Sequence, residues 1–190
     1  SILKIFAARA GAELERKRTE SVMRDMAYHD ALTGLPNRIL LNDRLERALL
    51  QAQRNNSLVG LLYIDFDRFK QINDTLGHGV GDELLKSVGN RLKECLRQQD
   101  TVARLGGDEF ILLLPEISNE EDAGKLANKL LDKIRPSFQI GQHEIIITLS
   151  IGIALYPQDA GDAKSLIKCS DEALYLAKNN GRDCYQFFKQ

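Results

Sequence analysis

The stretch Arg104-Leu105-Gly106-Gly107-Asp108-Glu109-Phe110 places two carboxylates directly after a glycine pair, between two apolar runs. Two successive glycines can turn with positive φ and leave the backbone uncovered, so that a ligand can approach closely. We therefore predict a hairpin of strands 101–105 and 110–114 with the acids at its tip. Taken alone, a Gly-Gly-Asp-Glu turn is more often an ordinary hairpin with solvated acids.

A second carboxylate cluster lies at the end of another predicted strand. The apolar run from Leu58 to Ile64 is followed by Asp65-Phe66-Asp67. Mg²⁺ prefers oxygen ligands and commonly takes one or two carboxylates together with substrate phosphates. Two such acid clusters at strand ends predict a site for a hard cation.

The composition limits the class of ligand. A chain of 190 residues with 43% hydrophobic residues fits one domain with a real core plus a short appendage. A net charge of −1 provides no general field for nucleic acid or an anionic membrane. We therefore expect no nucleic-acid partner, and any phosphate recognition must be local and directed at a small molecule.

The cysteines and the absence of targeting signals favour a cytoplasmic location. Cys95, Cys169 and Cys184 are odd in number and widely spaced, which favours inert reduced thiols. The sequence has no signal peptide and no apolar stretch of membrane-spanning length. The chain begins at Ser1 without methionine, so we expect it to be part of a longer protein, which could itself be membrane-associated.

Periodicity and turn chemistry predict the order of the helices and strands. Residues 2–28 contain no proline and predict a long helix, either the end of an upstream domain or a signalling helix that pairs subunits. The elements predicted after it are helix 38–54 capped by Asn37, strand 58–66, helices 69–76 and 79–98, the hairpin, a helix with a Ser118/Glu121 capping box that ends before Pro136, a hairpin at Gly141, strand 144–155, helix 163–180 with Gly181 as its left-handed cap, and strand 184–188. This order predicts a mainly antiparallel central sheet covered by helices.

Five motifs in order make the sequence resemble a known family. They are Asp30-Ala31-Leu32-Thr33-Gly34-Leu35-Pro36-Asn37-Arg38, Asp65 to Asp74, Gly77-His78-Gly79-Val80-Gly81-Asp82, Gly106 to Phe110, and Ala173 to Arg182. Together they resemble the GGDEF domain of diguanylate cyclases, from about His29 to Phe188. The resemblance implies the α/β sandwich shared with nucleotidyl cyclases and the palm of DNA polymerases. It divides the chain into residues 1–28, the closing helix of an upstream sensor such as GAF (segment 6–14), and a GGDEF domain at 29–190.

The resemblance implies a metal site for two Mg²⁺ or Mn²⁺ ions per GTP. Their ligands would be the side chains of Asp65 and Asp108 and the backbone carbonyl of Phe66. Glu109 would bind the second ion or assist deprotonation, and the resemblance does not separate these roles from that of Asp108. Asp67 is expected not to bind the metal and to be directed to the strand face opposite that of Asp65.

Phosphate contacts are also implied. The turn 66–69 before a helix presents free N–H groups, which suit phosphate oxygens. By resemblance, Lys70 contacts the triphosphate and steadies the transition state, and Lys178 and Arg182 bind phosphate; without the family, these cations would be read as solvated or as complements of a helix dipole. The remaining contacts implied with substrate are Leu32, Phe69, Gly106 and Gly107.

Asn73 and Asp82 are expected to recognise guanine. A carboxylate can accept from guanine N1–H and the exocyclic amine while an amide bonds alongside, and adenine offers no such donor pair. In isolation, Asp82 would be an acid at a helix start and Asn73 a turn residue. His78 is expected to be structural.

The segment Arg97-Gln98-Gln99-Asp100 ends five residues before Gly106. As a bare Arg-x-x-Asp it is most often a helix end. At this spacing it matches the inhibitory site of the family, where Arg97 and Asp100, with Arg104, would bind cyclic di-GMP. Product would then restrain its own synthesis.

The resemblance therefore implies a diguanylate cyclase that condenses two GTP molecules into cyclic di-GMP and two pyrophosphates. Because each domain holds only one nucleotide, catalysis requires a homodimer, and we expect an upstream sensor and a downstream phosphodiesterase domain as neighbours. The main alternative is a catalytically silent module that binds GTP or cyclic di-GMP and regulates a larger signalling protein. A third alternative is a carboxylate-metal phosphohydrolase. Such a site would use further metal ligands, such as clustered histidines, and the sequence has no obvious set of them.

Overall fold

The computed structural model describes residues 26–189 together with Arg9, residues 13–18 and Met23. Residues 13–18 and 26–28 are helical, and most of the helix predicted over residues 2–28 lies outside the described residues. The sensor-like segment 6–14 lies largely outside them as well. Among the described helices, none is both long and apolar enough to cross a membrane.

Five helices and seven strands follow residue 37 in the described part of the chain. They are α1 (Arg38–Asn55), β1 (Leu58–Phe66), α2 (Phe69–Leu76), α3 (His78–Glu94), β2 (Thr101–Gly106), β3 (Glu109–Ile117), α4 (Glu120–Ile134), β4 (Phe138–Ile140), β5 (His143–Ile145), β6 (Leu149–Tyr156), α5 (Ala163–Asn179) and β7 (Tyr185–Phe187).

The central sheet has the strand order β2-β3-β1-β6-β7. The first four strands pair antiparallel, and β7 joins the edge parallel to β6. Strands β4 and β5 form a separate two-stranded ribbon. The predicted fold class, a mainly antiparallel sheet flanked by helices, is confirmed.

Helices cover both faces of β1, the middle strand. Leu62 and Ile64 belong to the hydrophobic core formed with α2, α3 and α4, whereas Leu61 and Tyr63 belong to the core formed with α1 and α5. All four side chains are buried. Because side chains alternate between the two faces of a strand, burial on both faces explains the continuous apolar run in this segment.

Two helix caps predicted from the sequence are confirmed. The Asn37 side chain accepts hydrogen bonds from the N–H groups of Ile39 and Leu40 at the start of α1. After α5, Gly181 has a φ of 105°, and the Arg182 N–H donates to the Ala177 carbonyl at 3.2 Å. This is the bond of a Schellman cap, which requires a residue with positive φ at this place.

The capping box predicted at Ser118 and Glu121 is wrong by one residue. The N-cap of α4 is Asn119, whose side chain accepts from the N–H of Asp122 at 3.1 Å, while the Asp122 carboxylate accepts from the N–H of Ser118 at 3.2 Å. Strand β3 continues to Ile117, which delays the turn. Asparagine is also at least as good an N-cap as serine.

The single strand predicted over residues 144–155 is also wrong. The chain leaves β5 after Ile145 and enters β6 at Leu149, because β5 pairs with β4 and β6 pairs with β1. Residues 146–148 bridge the two sheets, and the Thr148 carbonyl accepts the Asp67 N–H at 2.9 Å. Apolar periodicity continues through this segment, so it could not reveal the change of partner.

Helix α3 begins at His78 rather than Gly79 and ends at Glu94 rather than Gln98. Beyond it, the N–H groups of Cys95 and Leu96 donate to carbonyls three residues earlier, as in a 3₁₀ turn. Strand β1 and helix α2 have the predicted bounds, and most of the remaining ends differ from those predicted by one to three residues, as helix and strand ends commonly do. Cys95, Cys169 and Cys184 are free, and burial raises the pKa of each thiol.

Helix α5 packs on β6 at Gly152. A Cβ there would overlap the Ser170 carbonyl oxygen and the Leu174 N–H, and would lie 2.7 Å from Leu174 Cα. These are backbone atoms of the helix, which a side-chain rotation cannot move. Glycine at this place therefore sets how closely α5, the helix that carries Lys178, approaches the sheet.

Candidate active site

The two predicted carboxylate clusters converge. Asp65, next to the end of β1, lies directly opposite Glu109, the first residue of β3, in the antiparallel register. Asp108 precedes Glu109 in the turn, where Gly106 and Gly107 have φ values of 143° and 52°. Because directly opposed residues in a sheet are close neighbours, the turn presents its acids beside Asp65.

Arg104 holds the glycine turn in place. Its Nε and Nη2 donate to the Gly107 carbonyl at 3.0 and 2.8 Å, and its Nη1 donates to Asp30 Oδ1 at 2.8 Å. Only 10% of the Arg104 side chain and 20% of the Asp30 side chain is exposed. Burial alone would raise the pKa of Asp30, but hydrogen bonds from Thr33 and Arg104 outweigh it and hold that pKa below its ordinary value.

This arrangement competes with the inhibitory role predicted for Arg104. All three of its guanidinium nitrogens are bonded within the domain, to Asp30 and to the turn. A role for Arg104 in binding product stays a prediction. The structure assigns this side chain to the geometry of the turn.

Lys178 pairs with Asp65. The distance from Lys178 Nζ to Asp65 Oδ1 is 2.9 Å, and 16% of the Asp65 side chain is exposed. Burial raises the pKa of Asp65, the Lys178 hydrogen bond opposes that rise, and the negative charge of Asp108 adds to it. The cation predicted to bind phosphate therefore lies beside a predicted metal ligand, and it balances part of the charge of the acids.

Glu109 has a different environment from Asp108. In the register, Glu109 opposes Asp65, and Tyr63, two residues back along β1, is on the same strand face. Tyr63 is buried, and its pKa is raised first by burial and then by the charges of Glu109 and Asp171. Glu109 is thus next to the α1 and α5 side of the sheet, while Asp108 is in the turn.

Asp67 is a structural anchor. Its buried carboxylate accepts from Thr148 Oγ1 at 2.6 Å, Ser150 Oγ at 2.7 Å and the Asp183 N–H at 3.1 Å. The prediction that Asp67 is directed to the strand face opposite that of Asp65 was wrong. Residues two apart in a strand share a face, and β1 already ends at Phe66, before Asp67. Asp67 joins the end of β1 to the start of β6 and to the turn that carries Arg182.

The start of α2 faces the region expected to bind phosphate. Its N-cap Arg68 has a φ of 61° and provides no side-chain cap, so N–H groups of the first turn are available to a ligand. The Asp67 N–H, predicted to be free, is instead bonded to the Thr148 carbonyl at 2.9 Å. Arg182 and Arg68 line a cleft of about 470 Å³ beside this helix, and Lys70 is exposed.

Asn73 and Asp82 come from adjacent helices. Asn73 of α2 lies against Gly81 of α3, the residue before Asp82. Among the described residues, neither the Asn73 nor the Asp82 side chain has a hydrogen-bond partner. Phe69 is buried, so the substrate contact predicted for it would come from its backbone, and Leu32 is partly buried against the same core.

Most of the chain matches a known family. Residues 27–184 match the family described as "Diguanylate cyclase, GGDEF domain". The chain belongs to the GGDEF family. The match covers every described element from α1 to α5 and includes both acid clusters.

Two relatives of this GGDEF chain are much longer than the chain itself. The bifunctional diguanylate cyclase/cyclic di-GMP phosphodiesterase MucR of Pseudomonas aeruginosa is 47% identical over 189 residues, which cover 100% of this chain and 26% of MucR. The cyclic di-GMP phosphodiesterase PdeR of Escherichia coli is 37% identical over 186 residues, 97% of this chain and 28% of PdeR. The chain therefore spans about a quarter of the length of these relatives.

A solved structure confirms the fold. The GGDEF domain of PA1120 (TpbB or YfiN) from Pseudomonas aeruginosa has a TM-score of 0.83 and 40% identity. The similarity covers 85% of this chain and 94% of that one.

The GGDEF site has a donor set that suits Mg²⁺ or Mn²⁺. Asp108 is close enough to Asp65 for its negative charge to raise the pKa of the Asp65 carboxyl. Among the described residues, no group of three or more histidines, cysteines or acids is arranged to hold a metal. Two carboxylates without nitrogen or sulfur ligands fit a hard cation that completes its shell with phosphate oxygens and water.

Arg97 and Asp100 form a compact turn after α3. The Arg97 N–H donates to Asp100 Oδ2 at 2.9 Å, and the Asp100 N–H donates to the Arg97 carbonyl at 3.1 Å. Burial raises the pKa of Asp100, and the Arg97 N–H opposes that rise. Both residues line a cavity of about 340 Å³ that Lys125 and Lys129 also border. The segment is thus a turn that follows the end of α3, and it borders a cavity lined by both acids and cations.

Sequence reasoning missed three features of this GGDEF site. They are the Asp30–Arg104 link to the turn, the anchoring role of Asp67, and the packing of Asn73 on Gly81. Asp30 and Gly81 occur in the motifs that carry the resemblance, but their partners lie on other elements. Only the opposite charges of Asp30 and Arg104 offered a signal, and many such pairs exist in the sequence.

Proposed function

We propose that this chain is a diguanylate cyclase domain that condenses two GTP molecules into cyclic di-GMP and two pyrophosphates. The observation that carries the proposal is the convergence of Asp65, opposite Glu109, with the Gly-Gly turn that bears Asp108, beside Lys178. This provides paired acids and a cation at one end of the sheet. Asn73 and Asp82, which are suited to binding a nucleobase, are on the neighbouring helices α2 and α3.

Asn73 and Asp82 bind guanine in this proposal. The Asp82 carboxylate accepts from N1–H and the exocyclic amine, and the Asn73 amide bonds beside it. The absence of internal hydrogen bonds to either side chain, among the described residues, supports this role. Because ATP has no equivalent donor pair, ATP would leave these groups unpaired.

The phosphates lie over the start of α2. Free N–H groups at this helix end, with Lys70 and Arg182, bind phosphate oxygens. Asp65, Asp108 and the Phe66 carbonyl would hold Mg²⁺ or Mn²⁺, which neutralises phosphate charge and makes the attacking hydroxyl more acidic. Lys178 neutralises Asp65 in the nucleotide-free domain.

Two domains are required for the reaction. One set of guanine-reading residues serves one nucleotide, so the 3′-hydroxyl of one GTP attacks the α-phosphorus of a GTP held by a second copy. The new P–O bond forms as the bond to pyrophosphate breaks, and the hydroxyl proton leaves to a base such as Glu109. Repetition in the other direction closes the ring. The domain is therefore active as a homodimer.

Product also binds in this proposal, at Arg97 and Asp100. The exposed Arg97 side chain provides charge-assisted hydrogen bonds to phosphate or guanine, beside a cavity whose lining includes both cations and acids. One oxygen of Asp100 accepts the Arg97 N–H, and among the described residues the other oxygen accepts no hydrogen bond. Cyclic di-GMP held here would restrain its own synthesis.

A catalytically silent module is the second candidate, and one comparison favours it. PdeR, which is named a cyclic di-GMP phosphodiesterase, is 37% identical over 97% of this chain. A domain of this kind would bind nucleotide and regulate its neighbours without turnover. The acids retained at Asp65, Asp108 and Glu109 favour the cyclase over this alternative.

The test is incubation of the purified chain with GTP and Mg²⁺, with products identified by mass spectrometry. A cyclase yields cyclic di-GMP and pyrophosphate, with a rate that rises as the square of protein concentration while the dimer is weak. A phosphohydrolase would release GDP and phosphate. GTP binding without any product over hours, in a protein shown to be dimeric, would establish the silent module and refute the cyclase.

A further inference from the structure

Gly81 faces Asn73 across the contact between α2 and α3. A Cβ at Gly81 would overlap Asn73 Oδ1, and would lie 3.0 Å from Asn73 Cγ and 3.3 Å from Phe69 Cζ. Phe69 and Asn73 are four residues apart, on the same face of α2. The Asn73 amide thus occupies the space that the Cβ of any other amino acid at position 81 would take.

The backbone gives no reason for glycine at this position. Gly81 is in the first turn of α3 and is helical, so it does not need a positive φ. Glycine is the poorest helix former apart from proline, and alanine is the best. Gly81 is buried, so packing against α2 explains the residue better than conformation does.

Gly79 provides the comparison within the same helix. It is exposed, and a Cβ placed on it meets no atom within 4 Å. The difference between the two glycines is therefore the presence of the Asn73 and Phe69 side chains. Gly81 is also the residue immediately before Asp82, the other side chain that we assign to guanine.

We propose that Gly81 is a positioning residue for base recognition: its missing side chain leaves the space that holds the Asn73 amide beside Asp82. This rests on the proposed function, in which Asn73 reads guanine. The place that a Gly81 Cβ would take is next to both the Asn73 amide and the Phe69 ring, so the absence of a side chain at Gly81 lets the amide keep its position before nucleotide binds. Preorganisation of this kind strengthens binding by lowering the entropy lost when the complex forms.

The experiment is Gly81→Ala, measured by calorimetric titration with 3′-deoxy-GTP and Mg²⁺. This nucleotide lacks the attacking hydroxyl, so binding is measured without turnover. The added methyl displaces the amide, and we expect affinity to fall at least about tenfold, the effect of losing one well-placed hydrogen bond. With GTP as substrate, KM should rise by a similar factor while kcat at saturation changes little.

The matched control is Gly79→Ala, which adds the same methyl to the same helix. Both substitutions raise helix propensity, so neither should lower the melting temperature. Only Gly81→Ala should weaken nucleotide binding. In the Asn73→Ala background, Gly81→Ala should cause no further loss, because the group that it displaces is already absent.

Each outcome decides the proposal. Wild-type affinity in Gly81→Ala would overturn it, as would a loss that adds in full to that of Asn73→Ala. If Gly81→Ala lowers the melting temperature and Asn73→Ala does not relieve that loss, the clash is with Phe69 and the proposal fails. If the wild type itself does not bind 3′-deoxy-GTP, the proposed function fails first, and this result is distinguishable from the others.

Discussion

Replacing Arg104 with methionine should destabilise the domain and loosen the turn that carries Asp108. Methionine keeps the apolar stem of the side chain, so the change removes the guanidinium and little packing. The Gly107 carbonyl loses two hydrogen bonds, and the Asp30 carboxylate loses its cationic partner. Both side chains of the pair are largely buried, at 10% and 20% exposure.

The magnitude follows from this burial. Removal of one partner from a buried ion pair costs about 3 to 5 kcal/mol, because the other charge is left uncompensated. Thr33 still donates two hydrogen bonds to Asp30 Oδ1 after the change, so we expect the lower end, about 3 kcal/mol. For a domain of this size, that corresponds to a melting temperature lower by about 6 to 12 °C.

The assay is urea unfolding followed by circular dichroism, with Arg47→Met as the matched control. Arg47 also pairs with an acid, Asp43, but 77% of its side chain is exposed. That helix-surface pair should contribute no more than about 0.5 kcal/mol. If Arg104→Met loses no more stability than Arg47→Met, the reasoning about the buried link is refuted. Cyclic di-GMP formation should also fall, since Asp108 follows the carbonyl that Arg104 holds.

The same link makes stability depend on pH. The pKa of Asp30 in the folded protein lies below its ordinary value of 3.8, so the native state favours the carboxylate. This contribution is fully present above the ordinary value and is lost as the pH falls through the lower folded-state pKa. The stability difference between wild type and Asp30→Asn should therefore be constant from pH 7 to about 5 and shrink below about pH 4. A difference unchanged down to pH 3 would contradict the assignment.

Further substitutions test three separate parts of the structure. Gly152→Ala should destabilise by about 3 kcal/mol or more, because its methyl meets helix backbone, whereas Gly161→Ala, with nothing within 4 Å of the added methyl, should change the melting temperature little. Asp65→Ala and Asp108→Ala should abolish cyclic di-GMP formation while thermal unfolding stays cooperative; near-normal turnover in either would remove that acid from the metal site. Arg97→Ala should weaken cyclic di-GMP binding at least about tenfold in calorimetry and leave initial rates with GTP unchanged, and equal affinity would mean that the segment is only a helix end.

Local features of the sequence determined most of the elements. Asn37 and Gly181 predicted helix ends because a cap depends on one side chain or one φ angle and the nearest N–H and carbonyl groups. The glycine pair predicted the turn at Asp108 for the same reason. The resemblance to the GGDEF domain also implied that Asp65 and Asp108 share a site, and the pairing of β1 with β3 brings the turn to Asp65.

The tertiary structure decided which distant groups became partners. Asp30 and Arg104 are 74 positions apart, and Asp67 reaches Ser150 and Asp183 across still longer separations. Periodicity shows which face of an element is apolar, but it does not show which element lies against that face. For that reason residues 146–148 were mistaken for strand, and the space at Gly81 could not be foreseen. Those pairings arise only when the sheet order brings strand ends together and α2 packs on α3.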